Sequence, residues 1–228
     1  MVALRTLTWD EPKAISDVLK HEFASEYCRE GVTIASGSGE LEIGTVLGKV
    51  TTGSASVVAK AGGNTGAGTL TLDPTTPVRP GAKAGVYTVR CIAAATNSGT
   101  FVVLDPDGYS LGQVVVGATF DNDIKFVIAD DSTDFAVGDG FDITVAEGTG
   151  KWVPYNPGGS GGAERVAGVL LQKVNATSAD IQAVVLARGP AVISRLGISW
   201  HSSVDTSSKK AAGTAQLVAL GIVVRDSA

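Results

Sequence analysis

Cysteine is almost missing from this chain, with two in 228 residues, and so are methionine, with one, and histidine, with two. Cys28 and Cys91 lie on different sides of a change in charge and patterning, so two free thiols are expected and not a disulfide. His21 and His201 fall in separate segments without ligand spacing around either, which gives zinc no case. Long apolar runs are also lacking: none approaches the ~20 residues that a membrane-spanning helix needs. The opening "MVALRTLTWDEPK" has no apolar stretch like that of a secretory leader, because Arg5, Asp10 and Glu11 interrupt it. The expectation is a protein that stays in the cytoplasm where it is made, with no membrane partner. A basic excess is absent too: the net charge of −5 argues against nucleic acid, since phosphate binding wants a basic surface.

What is present is the makeup of a folded protein, 44% hydrophobic and 18% charged. The charge is unevenly placed. Between Gly53 and Gly148 eleven acids face five bases, a net of −6, while the remainder carries a net of +1. Two stretches of such different balance read as two units.

The chain opens with a polar arm, Met1–Glu26, whose apolar grip comes from Leu4, Leu7 and Trp9. Within it "DEPKAISDVLKHEF" predicts a short helix opening at Pro12, with Ile15, Val18 and Leu19 on one face. "REGVTIASGSG" follows as a strand and glycine turn, then "ELEIGTVLGKV" as a strand that enters a tight turn. No returning strand comes next. Instead "TLTLD", "GVYTVRCIAAA", "GTFVVLDPDG", "DIKFVIAD" and "VGDGFDITVAEG" supply short strands at regular spacing without a helical period. Val86, Thr88 and Arg90 alternate with Tyr87, Val89 and Cys91; Ile124, Phe126 and Ile128, then Phe141, Ile143 and Val145, alternate inward. This is the pattern of a small β-sandwich or barrel.

Only at "GTGKWVPYNP" does the other half of the open hairpin arrive. "GGSGGAE" then reads as a flexible loop, and "RVAGVLLQKVNA" and "DIQAVVLARGPAVI" as two strands. "SSKKAAGTAQLVALG" is a helix capped by Ser207 or Ser208, with Ala211, Ala215 and Val218 on a shared face beside Leu217, and Gly221 at its left-handed end. "IVVR" closes the chain as a strand. The fold class is mainly β, with one C-terminal helix and an inserted all-β domain.

Groups that could carry chemistry do not converge. "GGSGG" fits G-x-S-x-G formally, but a nucleophile elbow needs a strand before Ser160 and a helix after it. "GTVLGK" is one residue short of a phosphate loop and has Val50 where Ser or Thr should follow the lysine. The clusters Asp121–Asp123, Asp130–Asp134 and Asp139–Asp142 lack the calcium-loop spacing, and Asp is an ordinary turn residue. Trp9, Trp152 and Trp200 lie outside the acidic stretch, so Trp152 and Trp200, with Tyr155, are read as core or subunit contacts. No catalytic group, cofactor or metal is expected.

With its middle removed the sequence reads "REGVTIASGSGELEIGTVLGKVTT…GKWVPYNPGGSGGAERVAGVLLQKVNA…VVLARGPAVI…KKAAGTAQLVALGIVVR". This series closely resembles the head decoration proteins of tailed bacteriophages, over about residues 27–51 and 150–225. In that family the "GTVLGK" strand turns directly into its partner; here the tip is opened and an acidic β module of about residues 52–149 is threaded into it. The expected division is an arm at 1–26, a discontinuous core at 27–51 and 150–228, and an insert at 52–149. The resemblance implies a non-enzymatic virion protein: a homotrimer on the outer capsid surface, bound to the major capsid protein and stabilising the head. The arm residues Leu4, Leu7, Trp9, Ile15, Val18 and Leu19 would hold the capsid. The insert would be a passive spacer or a weak glycan-binding module. The rival reading is a tail or baseplate adhesin.

Overall fold

A computed structural model describes residues 12–226. The chain forms two compact units, one from the segments up to Leu47 and from Val166 onward, the other from Gly48–Arg165. Among the described residues strand dominates both units, and the one long helix is Ser207–Ala219.

In the first unit Arg29–Ile34, Ile181–Leu186 and Val166–Leu170 lie side by side in a closed barrel, each antiparallel to the next. Their inward positions are apolar and fully buried, among them Ile34, Val169, Leu170, Val185 and Leu186. A second sheet orders Leu19–Glu22, Ala191–Ser194 and Ile222–Arg225, the last pair parallel.

That sheet corrects two expectations. The helix at Pro12 is a single turn, Ile15–Val18, and Leu19 leaves it to pair with Ile193 in a strand. Three apolar positions fit either period over so short a stretch, and the sheet's hydrogen bonds decide between them. The run "DIQAVVLARGPAVI" is two strands with different partners. The chain turns at Gly189, where an added Cβ would lie 1.8 Å from the carbonyl oxygen of Gly221, and Pro190 has no N–H to continue a ladder. "RVAGVLLQKVNA" likewise divides, its end Val174–Ala176 pairing with Gly39–Leu41.

The terminal helix is placed as read, with a different cap and face. Thr206 is the cap, its hydroxyl accepting from the Lys209 N–H at 3.3 Å. Gly213 and Leu217 are its buried residues, whereas Ala211, Ala215 and Val218 are exposed. Gly221 ends it at φ 78°, the left-handed conformation glycine adopts without strain.

The second unit is a two-sheet sandwich. One sheet has the order Thr52–Ala59, Gly140–Glu147, Gly85–Ala95, Ser98–Leu104, Ser110–Val115, and the other Thr119–Asp121, Lys125–Ala129, Thr69–Leu72. The alternation read from the sequence sets which side faces in: Tyr87, Val89, Cys91, Ile124, Phe126, Ile128, Phe141, Ile143 and Val145 are all core. Phe135 joins Phe101 edge-to-face at 5.0 Å and Phe141 at 6.0 Å. Each buried ring contributes roughly 1.5–3 kcal/mol, so these aromatics hold much of the unit together. Cys28 and Cys91 are both free and buried.

Candidate functional site

The hairpin left open in the sequence is closed in space. The Val50 N–H donates to the Lys151 carbonyl at 2.9 Å, and the Gly150 N–H donates back to Val50 at 3.0 Å. The Gly148 N–H then meets the Thr51 carbonyl at 3.0 Å. From there the stem runs on, Thr52–Ala59 pairing antiparallel with Gly140–Glu147 from Thr52↔Glu147 to Ala59↔Phe141, with a shift of register between Val145 and Glu147. The two chains of this neck therefore lead directly into the five-stranded sheet, where Gly140–Glu147 pairs on its other side with Gly85–Ala95.

The "GGSGG" segment is not a floppy loop. The Gly161 carbonyl accepts from the N–H groups of Thr51 at 2.7 Å and Thr52 at 3.2 Å, which holds the loop against the neck. The Gly162 N–H donates to the buried Glu164 carboxylate at 2.9 Å. Gly162 has φ 106°, and a Cβ there would sit 2.0 Å from the Lys49 carbonyl oxygen. The glycines allow backbone to approach backbone. The signal that could have found this is their position opposite "GKVTT" across the hairpin, where a flexible linker has no need to stand. The next regular element after Ser160 is the strand Val166–Leu170, not the helix that a nucleophile elbow requires.

Most of the acidic side chains described are held by local partners. Asp139 is buried and accepts from the N–H groups of Thr65, Gly66 and Ala136, each at 2.9 Å. Burial pushes its carboxyl up, but those three donors outweigh the burial and hold it below the ordinary carboxylate range. Asp105 is held low first by the Lys83 ammonium at 2.7 Å, then by the N–H groups of Tyr109 and Asp107. Asp73 is pulled down to about 2 by the Thr76 N–H, Lys125 and the Thr75 N–H. Asp121 pairs with Arg79, Asp142 with Arg90, and Asp134 accepts from the Asn97 N–H. These groups brace turns and, for Asp121 and Asp142, strands; they are spread over the sandwich and do not converge on a shared point.

The residues expected to touch partners are scattered. Trp152 and Tyr155 are buried, 5% and 1% exposed, and Trp200 is half-buried. Val18 is fully buried and Leu19 half-buried in its strand, so both serve the fold of the free chain, while Ile15 is 41% exposed. Leu4, Leu7 and Trp9 lie outside the described residues. The first unit also exposes apolar side chains that sequence reasoning passed over, Phe23 at 74% and Leu196 at 85%. Leu196 lies in the short Arg195–Gly197 turn that contacts the Ile15–Val18 helix. Lys13 ties that region down, its ammonium donating to the Gly197 carbonyl at 3.3 Å and to the Ser199 hydroxyl at 2.8 Å.

Comparison with known proteins gives one family: the model described as Bacteriophage lambda head decoration protein D matches residues 8–222. No curated protein matches. Two crystal structures of Xanthomonas campestris FlgL, in space groups C2 and H3, resemble the chain at 23% and 22% identity with TM-scores of 0.30 and 0.31. The likeness covers 45% and 46% of this chain and 31% and 33% of theirs, so the chain spans about a third of those proteins.

Proposed function

We propose, for a chain that belongs to the bacteriophage lambda head decoration protein D family, a role as a cement protein on the outer surface of a phage head. As a member of that family it is a structural protein of the virion capsid with a decorating role. The finer reading is a homotrimer at three-fold positions that bridges copies of the major capsid protein and resists the pressure of packaged DNA. One observation supports the decorating role: the family match runs from residue 8 to residue 222, across both flanks of the open hairpin. A trimer links three modest contacts, and linkage raises avidity through effective concentration. The N-terminal segment containing Leu4, Leu7 and Trp9 would supply one contact by adding a strand to the shell protein.

Residues 52–149 would project outward as an inserted module. For glycan binding the module offers the Tyr109 ring, 71% exposed, but the Lys83 ammonium stands over it at 5.9 Å. A spacer that alters surface charge is the better account of its contribution to decoration. The test of the whole reading is co-sedimentation with undecorated heads, followed by heating of the decorated particles. Saturable loading and a higher rupture temperature are the expected results. Labelled virions marked only on the tail would replace this reading with that of a tail or baseplate adhesin.

A further inference from the structure

The neck has a junction where its regular pairing stops. Val46–Lys49 ends before Thr52–Ala59 begins, with Val50 and Thr51 between them, and residues 148–151 separate Gly140–Glu147 from Trp152–Pro154. Two glycines lie in that gap, Gly148 and Gly150, the second at φ 69°. Just beyond it the ladder shifts register between Val145 and Glu147. A two-stranded ribbon is marginal by itself, and an irregular register bends and twists it further. Alone, this junction is a hinge.

The glycine loop lies across that junction and touches the chain on both sides of it. Before it, a Cβ on Gly48 would stand 2.9 Å from each of the carbonyl oxygens of Gly162, Ala163 and Arg165. After it, the Gly161 carbonyl takes the Thr51 and Thr52 N–H groups, and a Cβ on Gly161 would stand 2.8 Å from the Thr52 carbonyl oxygen. The loop is itself tied down, the Asn156 N–H donating to the Ala163 carbonyl at 2.8 Å. A further contact reaches the sandwich: a Cβ on Gly81 would lie 2.9 Å from Nη2 of Arg165. The turn that carries Gly81 is fixed in place, with the Arg79 N–H on the Asp123 carbonyl and the Lys125 N–H on the Pro77 carbonyl, both at 2.8 Å. All of these groups belong to one compact unit, Gly48–Arg165. We propose that residues 157–165 are a splint, which locks the strand junction and holds the sandwich at one angle to the neck.

A fixed module and a tethered one differ in what they present. On the reading of residues 52–149 as a spacer, a splinted module holds its acidic turns in the same attitude on every copy. Whatever meets it does so without the entropy cost of ordering it first. A tether would spread the same charge over a cone of directions. Only this consequence rests on the spacer reading; the splint is a property of the free chain and is tested there.

The test is a distance distribution by pulsed electron spin resonance on the full chain, with spin labels at Lys49→Cys on the neck and Thr119→Cys on the sandwich. Both positions are exposed, whereas Cys28 and Cys91 are buried and stay unlabelled. The labelled parent is expected to give one narrow population. Gly162→Ala pushes the loop off the Lys49 carbonyl and should widen the distribution at least about twofold. Arg165→Ala, at an exposed position, removes the contact with Gly81 and should widen it less. Melting curves show which variants are folded, and Arg165→Ala decides alone if Gly162→Ala is not. A broad distribution in the parent, or the parental width in every folded variant, overturns the proposal.

Discussion

Val50 and Lys151 are bonded backbone to backbone at 2.9 Å although the whole sandwich lies between them in sequence. A disordered loop of that length would pay closure entropy before the neck could form, a term that grows only slowly with length. A folded module whose own strands continue the neck holds the ends in place already. On the proposed insertion, that is how a hairpin tip accepts so large an interruption.

Joining Thr51 directly to Gly150 is therefore expected to restore a short hairpin. The shortened chain should be soluble, melt cooperatively, keep the oligomeric state of the parent and still load onto heads. Calorimetry and co-sedimentation check this; an aggregated product without a cooperative transition would mean that neck and core depend on the sandwich.

Gly162→Ala should destabilise the chain by about 1–3 kcal/mol, because it places a side chain at positive φ against the Lys49 carbonyl. Gly158→Ala, in the same loop, meets only Asn156 Oδ1 at 3.7 Å and should stay within roughly 0.5 kcal/mol. Urea titration of the two variants separates a packed loop from a flexible one, since a flexible loop would tolerate both.

Asp73 gives the sandwich an acid-sensitive brace. Its folded carboxyl is lowered from the ordinary 3.8 to about 2, so the folded state binds its proton less readily than the unfolded state. The stability this contributes is present above pH 3.8 and is lost as the pH falls through about 2. Asp73→Asn is expected to flatten that part of the pH profile and leave the melting temperature's acid dependence shallower. Parallel profiles for the two proteins would show that Asp73 is not the group responsible.

Truncation should split the N-terminal region into two roles. Removing residues 2–11 is expected to reduce loading onto heads with little change in melting temperature. Removing residues 2–20 also takes away Val18, fully buried, and breaks into the strand that pairs with Ala191–Ser194. That deletion should cost about 2–5 kcal/mol, the range for emptying a core site. Denaturation and capsid co-sedimentation, measured on both truncations, distinguish attachment from folding.

The sandwich was legible because its signal is local. Tyr87, Val89 and Cys91 alternate with Val86, Thr88 and Arg90, and a period of two fixes strand and inward face at once. The terminal helix was legible for the same reason, though its buried side was not: Gly213 and Leu217 face inward because of what packs on them. The strand at Leu19 and the break at Gly189–Pro190 depend on partners distant in sequence, which periodicity does not see. The glycine loop misled because composition alone cannot tell backbone freedom from backbone contact. Of the candidate site, Val18 and Leu19 carried the right apolar character but are taken up by the fold. The exposed Phe23 and Leu196 show only once the surface exists.

The two cysteines have a practical consequence. Cys28 is 0% exposed and Cys91 2% exposed, and burial pushes the Cys91 thiol up, further quieting it. Each lies in a different compact unit, so each is a silent probe that reacts only when its own unit opens. Pulse alkylation followed by peptide mass analysis would time the breathing of the two halves separately in the unaltered protein, even on an intact particle.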